Sequence, residues 1–195
     1  MLLLSGLILL NPAQAAEVQT GIDPEAQLPY WELRNPEMSL RLVQRVPDQT
    51  RAFFQARGFT NDNAELIAQS CVFQTVFKNT SHETSPSPLE YNLHEWTVLF
   101  ANQAHKMKLR EDWKPEWVQR EVPIAAQLAF EWALYPTWQV YQPGDYNWGM
   151  SIFNLRPGSV FDLEVVWKQS GKKHTAMIKD IKCAEDTYVA PQGAE

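Results

Sequence analysis

The sequence predicts an α+β protein that is mainly β, and two observations support this fold class. In the second half of the chain, short runs of alternating apolar and polar residues are separated by Pro-Gly and Ser-Gly turns at intervals of roughly 8–12 residues. Two segments with helical spacing precede these runs. Together the patterns predict an immunoglobulin-like β-sandwich with two N-terminal helices packed on it.

The chain has 195 residues, of which 45% are hydrophobic, and this is sufficient for one domain with a proper core. We predict that domain over 39–186, with a helical part at about 47–75 and the sandwich at about 89–184. Residues 16–38 contain three prolines and little periodicity, which predicts an extended arm. Residues 187–195 are expected to form a flexible tail.

The first fifteen residues predict where the protein is located. An apolar run from Leu2 to Leu10 is followed by Pro12 and by the small-x-small pattern that ends at Ala15, which signal peptidase recognises. A helix needs about 20 apolar residues to cross a bilayer, so this run is too short, and no later run approaches that length. We therefore predict a cleavable signal peptide over 1–15, no membrane span, and a periplasmic or secreted protein.

The helical part directly follows a strand predicted over 39–46. Its first helix is expected to end at Gly58, because glycine readily adopts the left-handed conformation that follows a helix. Thr60 or Asn61 then caps a second, longer helix. From Val72 onward the residues are β-branched and aromatic, so a strand can already begin there.

The β-rich part follows a polar loop. A long strand with a bulge is predicted near 91–100, because its apolar side switches between Leu93 and Trp96. A short amphipathic helix is predicted from Lys114. The segment 124–136 fits a helix by its alanines, but its strict alternation favours a strand. That strand would bury Leu128, Phe130, Trp132 and Leu134.

Three further strands complete the predicted sandwich. The first runs from Trp148 to Phe153, and the second, over 161–167, has the clearest alternation in the chain. A hairpin turn at Ser170-Gly171 leads from it into the last strand.

Two cysteines, Cys71 and Cys183, are the only ones in the chain. An even number of cysteines in an exported protein predicts a disulfide bond, and no C-x-x-C motif suggests a redox or metal pair. Cys71 is expected on the buried stripe of the second helix, and Cys183 on the inward face of the last strand. The bond should therefore join the helical part to the sandwich.

Charge and motifs exclude several functions. The net charge is −6, whereas nucleic acids and anionic membranes bind proteins through basic patches. The sequence has no G-x-S-x-G, H-E-x-x-H, P-loop or G-x-G-x-x-G motif, so we predict that the protein is not an enzyme and needs no cofactor. The remaining prediction is an exported accessory module that binds a periplasmic protein partner.

Histidine and methionine residues support an alternative function, copper handling. Thioether sulfur selects Cu(I), and imidazole binds both oxidation states of copper. His105 and Met107 would share one face of a strand, with Met150 or His94 completing the site. The same residues also fit ordinary loop and core positions, so the metal site stays open at this point.

Aromatic side chains in a turn indicate a possible partner surface. Tyr146 and Trp148 follow the turn at Pro143-Gly144. Tyrosine and tryptophan are enriched at interfaces because they combine a large apolar area with a polar group. Trp148 could equally close the end of the sandwich core, in which case it would have no role in binding.

Overall fold

The computed structural model describes residues 16–84 and 86–187. The predicted signal peptide (1–15) and residues 188–195 of the predicted tail lie outside the described residues. The described part is mostly β, with two sheets and four short helices, and its architecture is sandwich-like. The prediction of a mainly β, sandwich-like fold is therefore confirmed, and the immunoglobulin-like connectivity stays a prediction.

The strands are, in chain order, β1 (Glu17–Ile22), β2 (Pro29–Asn35), β3 (Met38–Gln44), β4 (Val72–Asn79), β5 (Leu89–Asn92), β6 (Thr97–Phe100), β7 (Gln103–His105), β8 (Trp138–Tyr141), β9 (Tyr146–Ile152), β10 (Val160–Gln169) and β11 (Lys172–Lys182). The helices are α1 (Pro47–Gln55), α2 (Asn61–Ala68), α3 (Lys114–Gln119) and α4 (Ile124–Ala133). None of the helices in the described ranges has the length and apolarity that a membrane crossing requires.

The first sheet is antiparallel, with the strand order β1-β2-β3-β4-β9. Its first two strands occupy 17–22 and 29–35, so the segment 16–38, for which we predicted an extended arm, is extended and paired within this sheet. Pro24 and Pro36 lie in the turns before and after β2, and Pro29 is the first residue of β2. A missing N–H donor is tolerated at these positions. These prolines therefore mark strand ends and do not exclude strands.

The second sheet is organised around β10. Strand β11 pairs with one side of β10, and β5 and β6 pair with successive parts of the other side. A 3-10 turn, Leu93–Glu95, separates β5 from β6, so the predicted long strand exists as two pieces with a turn in place of the bulge. The Ser170-Gly171 hairpin is present, with positive φ at both residues.

The main hydrophobic core lies between the two sheets. The ring of Phe73 on β4 is 6.3 Å from that of Phe161 on β10, and the Phe77 ring is 5.3 Å from that of Tyr91 on β5. These side chains are fully or almost fully buried. The sheets therefore pack face to face.

A second core lies on the outer face of the first sheet. Val72, Met150 and Ile152 point outward from β4 and β9 and pack with buried side chains of the four helices. The second core also contains Phe54, Trp117 and Phe130 of the helices, Phe59 between α1 and α2, and Trp113 of the 3-10 turn before α3. The helices thus form a third layer, which rests on the β9 side of the first sheet.

The segment 124–134 is helical up to Ala133, so the predicted strand is wrong. Ala126 and Phe130, four residues apart, are buried against the second core, whereas Leu128 and Trp132 are exposed. This burial pattern follows the helical period, because residues four apart share a helix face. Alanine also has the highest helix propensity, and this segment contains four alanines.

Buried Arg51 attaches the C-terminal segment to the helical layer. Its guanidinium contacts Asp48 at 2.8 Å, Asp186 at 2.5 Å and both carboxylate oxygens of Glu65. Hydrogen bonding from Arg51 holds the pKa of Glu65 below its usual value. The charges of this cluster are thus paired within α1, α2 and the segment after β11.

Candidate binding surface

Helix α4 presents an apolar stripe to solvent. Ile124 is 70% exposed, Leu128 48% and Trp132 86%. Their spacing of four residues aligns them on one helix face. The opposite face packs into the second core through Ala126 and Phe130, so the orientation of the stripe is fixed by the fold. Large apolar side chains that remain exposed in a row on one element are a feature of interaction surfaces.

A shallow depression of about 200 Å³ adjoins this stripe. Ile124 and Leu128 line one part of it, and Arg110, Lys114 and Glu131 supply charged side chains around it. Trp117 also lines it and is almost fully buried. An apolar centre with a charged rim is the arrangement found at protein–protein interfaces.

Tyr146 and Trp148 lie on β9, at the edge of the first sheet, and are 60% and 62% exposed. Trp148 therefore does not close the sandwich core. Leu134, directly after α4, forms a parallel bridge with Met150. Trp132 and Trp148 each precede that bridge by two residues, so both exposed indoles lie close in sequence to the same junction of helix and sheet.

Sequence reasoning identified Tyr146 and Trp148 but missed the α4 stripe. The predicted strand buried Leu128, Phe130 and Trp132 on one common face, whereas the helix separates Phe130 from the other two. The recurrence of Ile124, Leu128 and Trp132 at intervals of four residues was the signal that could have found it.

Known proteins do not assign a function to this surface. Comparisons of the chain with protein-family models, curated proteins and solved structures found no match. Function depends on the chemistry of a site more than on the fold that carries it. We therefore infer function from the side chains that the described structure exposes.

The predicted copper ligands fall into two groups. Met107 and Met150 are buried and line the same small cavity. His94 is exposed on the 3-10 turn, and His105 ends β7 with its ring 6.3 Å from that of Phe100; neither histidine lines the cavity. In the described ranges, no three His, Cys, Asp or Glu side chains are grouped to hold a metal. Copper binding stays a prediction, and the fold brings together only its two methionines.

The disulfide bond between Cys71 and Cys183 is present, with the Cα atoms 5.4 Å apart. Its placement differs from the prediction, because Cys71 lies between α2 and β4 with a φ of 54° and not on the helix. Cys183 directly follows β11. The bond therefore ties the first sheet to the second, and both thiols are consumed by it.

Three buried tyrosines form a hydrogen-bonded cluster near the α4–β9 junction. The hydroxyls of Tyr135 and Tyr141 are 2.8 Å apart, and the Tyr91 hydroxyl donates to the carbonyl oxygen of Pro136 at 3.1 Å. Burial raises the pKa of all three phenols, because a buried phenolate would be poorly solvated. The cluster is closed and neutral, which fits a structural role.

We expect the tyrosine cluster to make the fold sensitive to alkali. The raised pKa values keep the phenols neutral in the folded protein, while tyrosines of the unfolded chain ionise at about pH 10. The contribution to stability is fully present below that pH and is lost as pH rises toward the folded-state pKa values. In Tyr135→Phe, the free energy of unfolding should decrease less steeply with rising pH, by up to about 1.4 kcal/mol per pH unit.

Urea unfolding of wild type and Tyr135→Phe between about pH 7 and about pH 11 measures this difference. At neutral pH the variant should lose only the hydrogen bond, about 1 kcal/mol. If the free energy of unfolding decreased equally steeply with pH in both proteins above about pH 10, ionisation of Tyr135 would not be coupled to unfolding.

Proposed function

We propose that this protein is an exported, non-catalytic accessory module that binds a protein partner through the α4 stripe of Ile124, Leu128 and Trp132. The observation that supports this proposal most is the 86% exposure of Trp132 in line with two exposed aliphatic side chains. An unpaired apolar helix face of this kind suits a groove or flat apolar patch on another protein.

The energetics favour a protein over a soluble small molecule as the occupant. The stripe lies on the outside of a ten-residue helix, and its adjoining depression of about 200 Å³ is too small to enclose a ligand. Complete burial of an aliphatic side chain contributes about 1.5–3 kcal/mol, and a tryptophan at an interface centre about 2 kcal/mol or more. Covering all three side chains at once requires a broad, apolar partner surface.

Export is the second part of the proposal and rests on the N-terminal sequence pattern. A disulfide bond is compatible with an oxidising compartment outside the cytoplasm. The Cys71–Cys183 bond and the lack of a spanning helix in 16–84 and 86–187 are both compatible with a periplasmic or extracellular protein.

We expect a Leu128→Gln/Trp132→Gln double variant to lose its partner. Both positions are exposed, so the variant should keep its fold while its apolar stripe is interrupted. The wild-type protein, used as bait in a native extract, should retain one protein in stoichiometric amount, quantified by mass spectrometry. The double variant should retain at least about tenfold less of that protein than the wild type does.

Trp138→Gln is the matched control, because Trp138 is 55% exposed but lies on β8 of the other sheet. It should retain the partner at the wild-type level. Equal retention by the double variant, or no protein retained at physiological salt, would contradict the proposal. Self-association through the same residues would also contradict it, since the partner would then be a second copy.

A further inference from the structure

The outer face of the first sheet contains a groove of about 1000 Å³ beside the helical layer. Its floor consists of outward side chains of β3 and β4, chiefly Val43, Gln74 and Val76. The turn between β1 and β2 forms one wall, and Trp148 of β9 forms part of the other. Arg45 and the start of α1 close one end. The site is thus elongated along the strands.

The dimensions of the groove suit an extended chain. Ser39 and Arg45 both line it and are six positions apart along β3 and the residue that follows it. At about 3.3 Å per residue, this distance is about 20 Å, the length of roughly six extended residues. Both floor strands have neighbours on each side in the order β2-β3-β4-β9, so their main chains are already paired. Recognition must therefore use side chains.

The cations at the two ends of the groove are not paired with carboxylates. Among the described residues neither Arg45 nor Lys78 has a salt bridge, and the Nε of Arg45 is buried without a hydrogen-bond partner. Arg41, between them, is paired with Asp23 at 2.9 Å. Burial and, to a lesser extent, repulsion by Arg57 lower the pKa of Arg45. A carboxylate in the groove would give the Arg45 guanidinium a charged partner.

Glu32 and Glu25, the other acidic residues of the groove, do not pair with Arg45. Glu32 is paired with Arg34 at 2.8 Å and accepts from the Ser39 hydroxyl at 2.6 Å. Glu25 lies in the turn between β1 and β2, which forms one wall of the groove. A ligand that carries a carboxylate would pair with the Arg45 guanidinium.

We propose that this groove binds an extended peptide segment of a partner protein, about six residues long. A carboxylate of the segment lies at Arg45, and an aliphatic side chain covers Val43 and Val76 against the Trp148 indole. A neutral sugar would leave the Arg45 guanidinium without a charged partner, and a small anion would leave the apolar floor uncovered. None of the residues that line the groove belongs to the α4 stripe, so failure of this proposal would leave the proposed function intact.

A display library of random hexapeptides, selected on the purified disulfide-bonded protein, tests this proposal. We expect the enriched peptides to share Asp or Glu at one fixed position and an aliphatic residue at a fixed distance from it. A synthetic consensus peptide should bind Arg45→Gln and Trp148→Ala at least about tenfold more weakly than wild type. Arg156→Gln, at an exposed arginine outside the groove, is the matched control and should bind as wild type does.

Trp132→Gln should leave peptide binding unchanged, which separates this site from the α4 stripe. The absence of a consensus, a consensus without an acidic residue, or unchanged affinity in Arg45→Gln would overturn the proposal. Thermal melting checks the fold of each variant. If Arg45→Gln fails to fold, Trp148→Ala decides the result, because the Trp148 side chain is exposed.

Discussion

Removal of the Cys71–Cys183 bond should lower the free energy of unfolding by about 4–5 kcal/mol. The two cysteines are 112 residues apart, and chain entropy predicts this magnitude for a loop of that length. The bond also joins the first sheet to the second beside their shared core, so its loss releases the end of β11 as well as the start of β4. The expected effect is a large fraction of the total stability of a typical domain, about 5–15 kcal/mol.

Urea unfolding of the oxidised protein, the reduced protein and a Cys71→Ala/Cys183→Ala variant measures this effect. Reduction and substitution should lower the unfolding midpoint to a similar extent. The variant with reductant added serves as the control, because it has no bond to reduce and its midpoint should not move. A midpoint of the reduced wild type equal to that of the oxidised protein would show that the bond does not stabilise the fold.

Gly149→Ala should destabilise the protein by about 1–3 kcal/mol, because it forces a methyl group into a closed contact. A Cβ at this position would lie 2.7 Å from the backbone nitrogen of Tyr135 and 2.9 Å from the carbonyl carbon of Leu134. These backbone atoms cannot easily move, since the Tyr135 N–H donates to the carbonyl oxygen of Met150 at 2.8 Å. The substitution therefore separates the end of α4 from β9.

Gly21→Ala is the matched control, because it places the same methyl group in an exposed strand. Its nearest neighbours are atoms of the Tyr30 side chain, at 3.0 Å or more, and this side chain can move. Its effect on the free energy of unfolding should stay below about 1 kcal/mol. Thermal and urea unfolding measure the stability of both variants. Equal stability of Gly149→Ala and wild type would mean that the α4–β9 junction accommodates the added methyl group.

The sequence predicted features that depend on short-range patterns. The disulfide followed from two cysteines and an export pattern, and the β10–β11 hairpin from alternating residues around Ser170-Gly171. The short helix after Trp113 also follows its local pattern. In each case neighbouring residues and simple chemistry are sufficient to specify the structure.

Features that depend on distant contacts were predicted less well. The strands β1 and β2 have no strong periodicity of their own, and they form because β3 supplies a paired edge. The sequence of α4 alternates like a strand, and its packing through Phe130 against Trp117 and Phe54 favours the helix. Tertiary packing overrides a local pattern in both cases.

The error in α4 also determined what was missed in the candidate site. A wrong element type assigns side chains to wrong faces, so Leu128 and Trp132 were predicted to be core residues. The groove was not predictable either, because its lining residues come from five different elements and their connecting turns. Their charges are balanced in the sequence, and only the fold leaves Arg45 without a carboxylate partner among the residues that the structure describes.

Site-specific photo-crosslinking tests most directly whether the α4 stripe is the partner-binding surface. A photoreactive residue replaces Leu128 in one protein and the exposed Thr175 of β11 in another, and both are irradiated in intact cells. We predict that the label at Leu128 forms a crosslink to one other protein and that the label at Thr175 does not. Equal crosslinking from both positions, or crosslinks from Leu128 only to further copies of this chain, would contradict the account.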